Sequence, residues 1–133
     1  TVLPGVIVDG AHNEDGIARF VETVRYFQDD YSITLLFATV SDKEFGDMIR
    51  KICSGLHFTN VIVTEIWGSR KQSSEELAEL FRENGCNQVC AQPDPEKAFD
   101  QAYEQKGDGL LFVVGSLYLV GEIKDYIRRK KYD

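Results

Sequence analysis

Short apolar runs alternate along this chain with longer stretches of helical period. Val6, Ile7 and Val8 form the first run, inside 5–9. Residues 32–40 (SITLLFATV) form a second, 61–66 a third, 89–91 a weak fourth and 110–114 (LLFVV) a fifth. Continuous apolar runs without strict alternation predict strands that are covered on both faces. Between them the period changes to that of a helix. Residues 14–27 place Ile17, Phe20, Val21, Val24 and Phe27 on one stripe, and 43–52 do the same with Phe45, Met48, Ile49 and Ile52. Residues 74–84 carry Leu77, Leu80 and Phe81, with Ser73 or Ser74 as cap and Gly85 as stop. Residues 95–105 carry Ala98, Phe99 and Ala102 behind the cap Asp94 and the first-turn Pro95. A last helix is predicted over 117–129.

Strand followed by helix, five times over, predicts a Rossmann-like three-layer α/β/α domain. Its sheet should be mainly parallel, with five to six strands and helices on both faces. The 133 residues suffice for one such domain, and no linker, repeat or low-complexity tract divides them. Residues 1–133 are therefore read as a single domain. In such folds ligands sit outside the carboxyl ends of the strands. The residues that follow each apolar run thus carry the functional question.

Composition narrows the answer. Fifteen basic residues face 22 acidic ones, a net charge of −7, which argues against a nucleic-acid partner or an anionic membrane surface. The basic run 128–131 reads as a helix end that complements the helix dipole. No apolar run approaches a membrane span, and no basic-then-apolar leader is present. Three cysteines, Cys53, Cys86 and Cys90, fit a reducing, cytoplasmic setting. They read as small packing residues, and with neither His12 nor His57 near the Cys86–Cys90 pair no metal site is expected. The chain opens on Thr1-Val2-Leu3-Pro4 rather than methionine, as a processed terminus or a piece of a longer protein would.

The turn after the first strand, Asp9-Gly10-Ala11-His12-Asn13, is the most informative stretch. Small residues admit a ligand close to the backbone, and the helix behind them offers free N–H groups to an anion. Asn13 reads first as a helix cap. Asp9 and His12 together point to function, because making the turn requires neither. After the second strand, Ser41 or Asp42 can cap, while Lys43 in a first helical turn is either turned to solvent or holding an anion. After the third strand the polar loop 65–72 carries Trp67 and Arg70, as contact residues or as packing. After the fifth, Gly115 permits a tight turn, and Ser116 caps the last helix or lends its hydroxyl to an anion beside the first loop. There is no G-x-G-x-x-G, no P-loop and no nucleophile elbow. A receiver domain lacks support, since the third strand runs into Thr64-Glu65 and the fifth into Gly115-Ser116.

The segment Val6-Ile7-Val8-Asp9-Gly10-Ala11-His12-Asn13 resembles the strand, turn and helix that open the C-terminal domain of folylpolyglutamate synthases and their dihydrofolate synthase relatives. These are members of the Mur ligase superfamily. Ser41-Asp42-Lys43 with Met48-Ile49 resembles that family's D-K-D segment, and 115–122 (GSLYLVGE) its G-S-L-Y-L-V-G-E segment. Together the three span nearly the whole chain. The sequence departs from the pattern at Glu14, where proline is common, and it begins after the position of a phosphate-contacting arginine.

The resemblance implies an ATP-dependent amide ligase that joins glutamate to a folate, or to dihydropteroate, through an acyl phosphate. It implies that this chain is the C-terminal, glutamate-binding domain, inactive alone, whose partner is the N-terminal ATPase domain of the same protein. The P-loop and the Mg2+ ligands would lie in that other domain. By position, Asp9 and Asn13 would meet ATP. His12 would stand at the reacting centre, as catalytic residue and against the incoming glutamate. Lys43 and Ser116 would hold the carboxylates of glutamate. The competing expectations are a free-standing small-molecule or partner-binding α/β domain, and a Mur-type ligase acting on another carboxylate.

Overall fold

A computed structural model of the chain describes residues 3–39, 45–66 and 73–130. Ten elements alternate: β1 (Val6–Asp9), α1 (Glu14–Phe27), β2 (Ile33–Phe37), α2 (Phe45–Cys53), β3 (Asn60–Val63), α3 (Ser74–Glu83), β4 (Val89–Ala91), α4 (Pro95–Lys106), β5 (Leu110–Val114) and α5 (Leu117–Lys130). The five strands form one parallel sheet in the order β1-β5-β2-β3-β4. Val6 to Asp9 pair in register with Leu111 to Val114, and Ile33 to Phe37 with Leu110 to Val114.

The side-chain alternation of β2 shows why the sheet needs two helical layers. Ile33, Leu35 and Phe37 point into a core built with Ile17, Phe20 and Val24 of α1, Met48, Ile49 and Ile52 of α2, and Leu77, Ala78 and Phe81 of α3. Leu36 and Ala38 point into the other core, with Ala98, Phe99 and Ala102 of α4 and Leu119, Ile123 and Tyr126 of α5. The large rings interlock edge to face, Phe20 on Phe112 and Phe37 on Phe81, each at 5.7 Å between centroids.

Helix starts follow the local chemistry. Asn13 caps α1, accepting from the Gly16 N–H at 2.9 Å. Ser73 and Glu76 form a reciprocal capping box on α3. Asp94 caps α4 ahead of Pro95.

Two strands are shorter than the apolar runs that encode them. β2 stops at Phe37, because β5 turns away at Gly115, whose φ is +120°, and leaves Ala38 and Thr39 buried but unladdered. β3 stops at Val63, opposite Ala91, the last residue of the three-residue β4. The apolar residue beyond it, Ile66, joins the α4–α5 core. The predicted start of the second helix at residue 43 falls outside the described residues, and α2 is seen from Phe45.

The cysteines divide. Cys86 is buried and Cys53 partly so, whereas Cys90 is exposed, which corrects its reading as a packing residue. Cys90 lies on the short edge strand β4, with its Sγ 3.4 Å from the Gln101 amide nitrogen. Burial, with Cys86 nearby, pushes the Cys53 thiol up to about 12, and burial also raises Cys86. A thiol-disulfide reagent at pH 8 should therefore label Cys90 quickly, Cys53 much more slowly and Cys86 only after unfolding. An acid whose folded pKa is raised holds its proton more tightly when folded. The Cys53 contribution to stability is thus complete below the ordinary thiol value of 9.0 and is lost as pH rises toward about 12. Melting curves from pH 8 to 11 should fall on the alkaline side, and Cys53→Ala should flatten that fall.

Candidate functional site

The helices that follow β1 and β5 pack on opposite faces of the sheet, so the two loops diverge at the carboxyl ends of neighbouring strands. This is the switch point at which a doubly wound sheet opens a crevice. The crevice is a cleft of about 280 Å³ lined by Asp9, Gly10, Ala11, His12, Asn13, Gly16, Arg19 and Leu117.

Each wall has a local cause. The Ala11 N–H donates to Asp9 Oδ1 at 3.0 Å, which folds the turn back on the end of β1. That bond occupies one carboxylate oxygen of Asp9, which lines the cleft. Gly10 gives way to Leu117, whose side chain stands where a Cβ would be. Gly16 lies against Ala11, with a Cβ position 3.2 Å from the Ala11 Cα, and so brings the first turn of α1 close to the loop. The Gly115 N–H donates to the Ala11 carbonyl at 3.1 Å and ties the two loops together.

His12 is exposed, with Nδ1 2.9 Å from the Gly10 carbonyl oxygen. A carbonyl only accepts, so Nδ1 carries the proton and Nε2 holds the lone pair of the neutral ring. That nitrogen can accept a proton from an amine or donate one to an oxyanion after protonation. The Asn13 side-chain oxygen is committed to Gly16, which leaves its amide N–H groups for another partner.

Asp9, His12 and Asn13 thus meet in one cleft. Ser116 does not line it. It is 1% exposed, and its Oγ accepts from the Tyr118 N–H at 3.0 Å at the start of α5. Lys43, with Ser41 and Asp42, lies outside the described residues, as do Trp67 and Arg70. The sequence reading missed Arg19, because it sits off the apolar stripe of α1 and belongs to no motif. Its one signal was its place three residues after Gly16 on a helix that starts at the turn.

A wider cleft of about 360 Å³ lies between α4 and α5, lined by Ile66, Glu96, Tyr118, Glu122, Asp125 and Arg129. Arg129 spends its charge there on Glu96 at 2.6 Å and Asp125 at 3.0 Å. Three carboxylates against one committed guanidinium disfavour an anion, whereas the smaller cleft sets Arg19 and His12 against a single carboxylate, Asp9. Among the described residues, no group of three or more His, Cys, Asp or Glu could hold a metal ion. No helix among them is long and apolar enough to cross a membrane.

Comparison with known proteins gives one consistent answer. The sequence profile of the family described as Mur ligase, glutamate ligase domain, matches residues 3–117. The dihydrofolate synthase/folylpolyglutamate synthase of Bacillus subtilis is 23% identical over 94% of this chain and 28% of its own length. A probable bifunctional folylpolyglutamate synthase/dihydropteroate synthase of Halobacterium salinarum is 32% identical over 91% of this chain and 14% of its own length. The chain thus spans less than a third of these relatives. Among solved structures, the folylpolyglutamate synthase of Thermotoga maritima superposes with a TM-score of 0.78 at 27% identity, covering 96% of this chain and 28% of that one. The Mycobacterium tuberculosis folylpolyglutamate synthase, crystallised with ADP and AMPPCP, shares the fold at a TM-score of 0.78 and 20% identity, over 94% of this chain and 30% of its own.

Proposed function

The chain belongs to the Mur ligase family as its glutamate ligase domain, and from that membership we propose that it is the C-terminal domain of an ATP-dependent folylpolyglutamate synthase. The proposed reaction activates a folate or dihydropteroate carboxylate as an acyl phosphate at the expense of ATP, and the glutamate amine then displaces phosphate to form the amide. The observation that carries this reading is the meeting of the Asp9–Asn13 turn with the Gly115–Leu117 loop at the switch point of the sheet. Both segments are those whose sequence resembles the ligases.

The donors and acceptors of the cleft suit the proposed ligands. The other carboxylate oxygen of Asp9 can accept from hydroxyl groups of a ribose. The first turn of α1 and the Asn13 amide can donate to an anion. His12 is placed to hold a proton at Nε2 beside the amine or the oxyanion of the reacting centre. We place Lys43 on a carboxylate of glutamate. Ser116 supports the site from below, since its buried hydroxyl fixes the start of α5. Mg2+ would neutralise phosphate charge when bound, and we assign its ligands to the N-terminal ATPase domain of the longer protein. Three free thiols fit a reducing cytoplasm.

The test uses the full-length protein that contains these residues. ADP release should require folate and L-glutamate together, and mass spectrometry should show the folate heavier by one glutamyl unit. Lys43→Ala should raise the KM for glutamate by roughly tenfold to a hundredfold, with a smaller change in the KM for ATP. ATP or folate binding without ADP release in the presence of both other substrates would show a binding module instead.

A further inference from the structure

We propose that Arg19 holds an anionic group, a carboxylate or a phosphate, of the substrate in the Asp9–His12 cleft. The proposal rests on the reading of that cleft as the ligand site.

Arg19 stands one position before Phe20 on α1, off the stripe formed by Ile17, Phe20, Val21 and Val24. Helical side chains lean toward the N-terminus of their helix and cover the turn before their own Cα. For residue 19 that turn contains Gly16, which presents no side chain. The guanidinium can pass over it, and Arg19 lines the cleft together with Asp9, His12 and Asn13.

Asp15 precedes Arg19 by four residues, the spacing and order that suit an intrahelical ion pair, and Glu22 follows it by three. Neither pair forms. Arg50, Lys51, Arg82, Arg128 and Arg129 each find a carboxylate within 4.0 Å, and among the described residues Arg19 finds none. Among those residues Arg25, Lys97, Lys106, Lys124 and Lys130 also stand without a carboxylate partner, but of these unpaired cations only Arg19 lines the cleft. One nearby acid is already engaged, since Glu14 of the first turn meets Lys51 at 3.3 Å. One oxygen of Asp9 is taken by the Ala11 N–H. A planar fork of N–H donors and the N-terminus of α1 therefore face the same space, and both favour an anion. The fork matches a carboxylate or a phosphate edge in two parallel hydrogen bonds, which an ammonium cannot copy.

Steady-state kinetics on the full-length protein test this and separate the two sources of the anion. Arg19→Gln should raise one KM about tenfold, with kcat within about twofold. A raised KM for ATP assigns a phosphate, and a raised KM for folate or glutamate assigns a carboxylate. Arg19→Lys should restore only part of the loss. Arg82→Gln, which removes an equal charge from α3 beside Glu79, should change no KM. All three KM values within twofold of wild type in Arg19→Gln would overturn the proposal, as would an equal change in Arg82→Gln. If the wild-type protein does not ligate, the ligase reading fails separately. Titration calorimetry with ADP, inorganic phosphate and L-glutamate then decides. A tenfold weaker Kd for one probe in Arg19→Gln supports the assignment, whereas equal binding, or no binding of any probe to the wild type, ends it.

Discussion

Gly115→Ala should lower the melting temperature by roughly 10 °C and take ligand binding with it. Gly115 has φ +120°, a conformation that L side chains rarely adopt, and a Cβ there would run into the Ala38 carbonyl oxygen. It would also stand 3.0 Å from the ring of Phe37, which is fully buried and packed on Phe81, so the ring has nowhere to go. A disfavoured backbone region costs about 1–3 kcal/mol, and an overpacked core adds about as much. Near 4 kcal/mol in total, at roughly 3 °C per kcal/mol for a domain of this size, gives the expected drop. The strain also pulls on the Gly115 N–H bond to Ala11, which joins the two loops of the cleft. Gly121→Ala is the control. It sits inside α5 with open space at the Cβ position and should stabilise by about 1 kcal/mol. A melt of Gly115→Ala within about 3 °C of wild type would show that β5 can move away from Ala38.

Asp9→Asn should separate the two tasks of Asp9. The asparagine side-chain oxygen can still accept from the Ala11 N–H, so the turn and the melting temperature should stay as they are. The negative charge and the second acceptor oxygen are lost. A hydrogen bond to a charged group contributes about 2 kcal/mol, so kcat/KM for ATP in the full-length protein should fall roughly thirtyfold. Asp9→Ala loses both tasks and should fall in melting temperature as well. Activity within threefold of wild type in Asp9→Asn would confine Asp9 to shaping the turn.

The elements and their caps were legible because each is a local matter. A continuous run such as Leu110 to Val114 has no polar face to turn outward, and Asn13, Ser73 and Asp94 each satisfy N–H groups within three residues of themselves. The strand order was not legible, since nothing local in Leu110–Val114 says that it separates β1 from β2. The site follows the same division. Asp9, His12 and Asn13 sit in one turn and announce themselves together. Ser116 reads as an available hydroxyl in sequence, yet the packing of α5 buries it under the loop. Arg19 shows its part only when the missing side chain of Gly16 and the missing ion pair with Asp15 are seen together. Cys90 failed as a packing residue because β4 is a short edge, where alternate positions face solvent.

The place of β5 in the sheet decides when this domain can form during synthesis. It lies between β1 and β2, so β1 has no laddered neighbour until residues near the far end of the described chain have left the ribosome. Until then the apolar β2 presents an open edge, and of the four earlier strands only β2, β3 and β4 can ladder together. Closure across so long a span of chain is slow, because its entropy must be surrendered before the contacts repay it. Folding of the last strand also completes the cleft, so translation that stalls before residue 110 leaves a product with neither a complete sheet nor the assembled cleft.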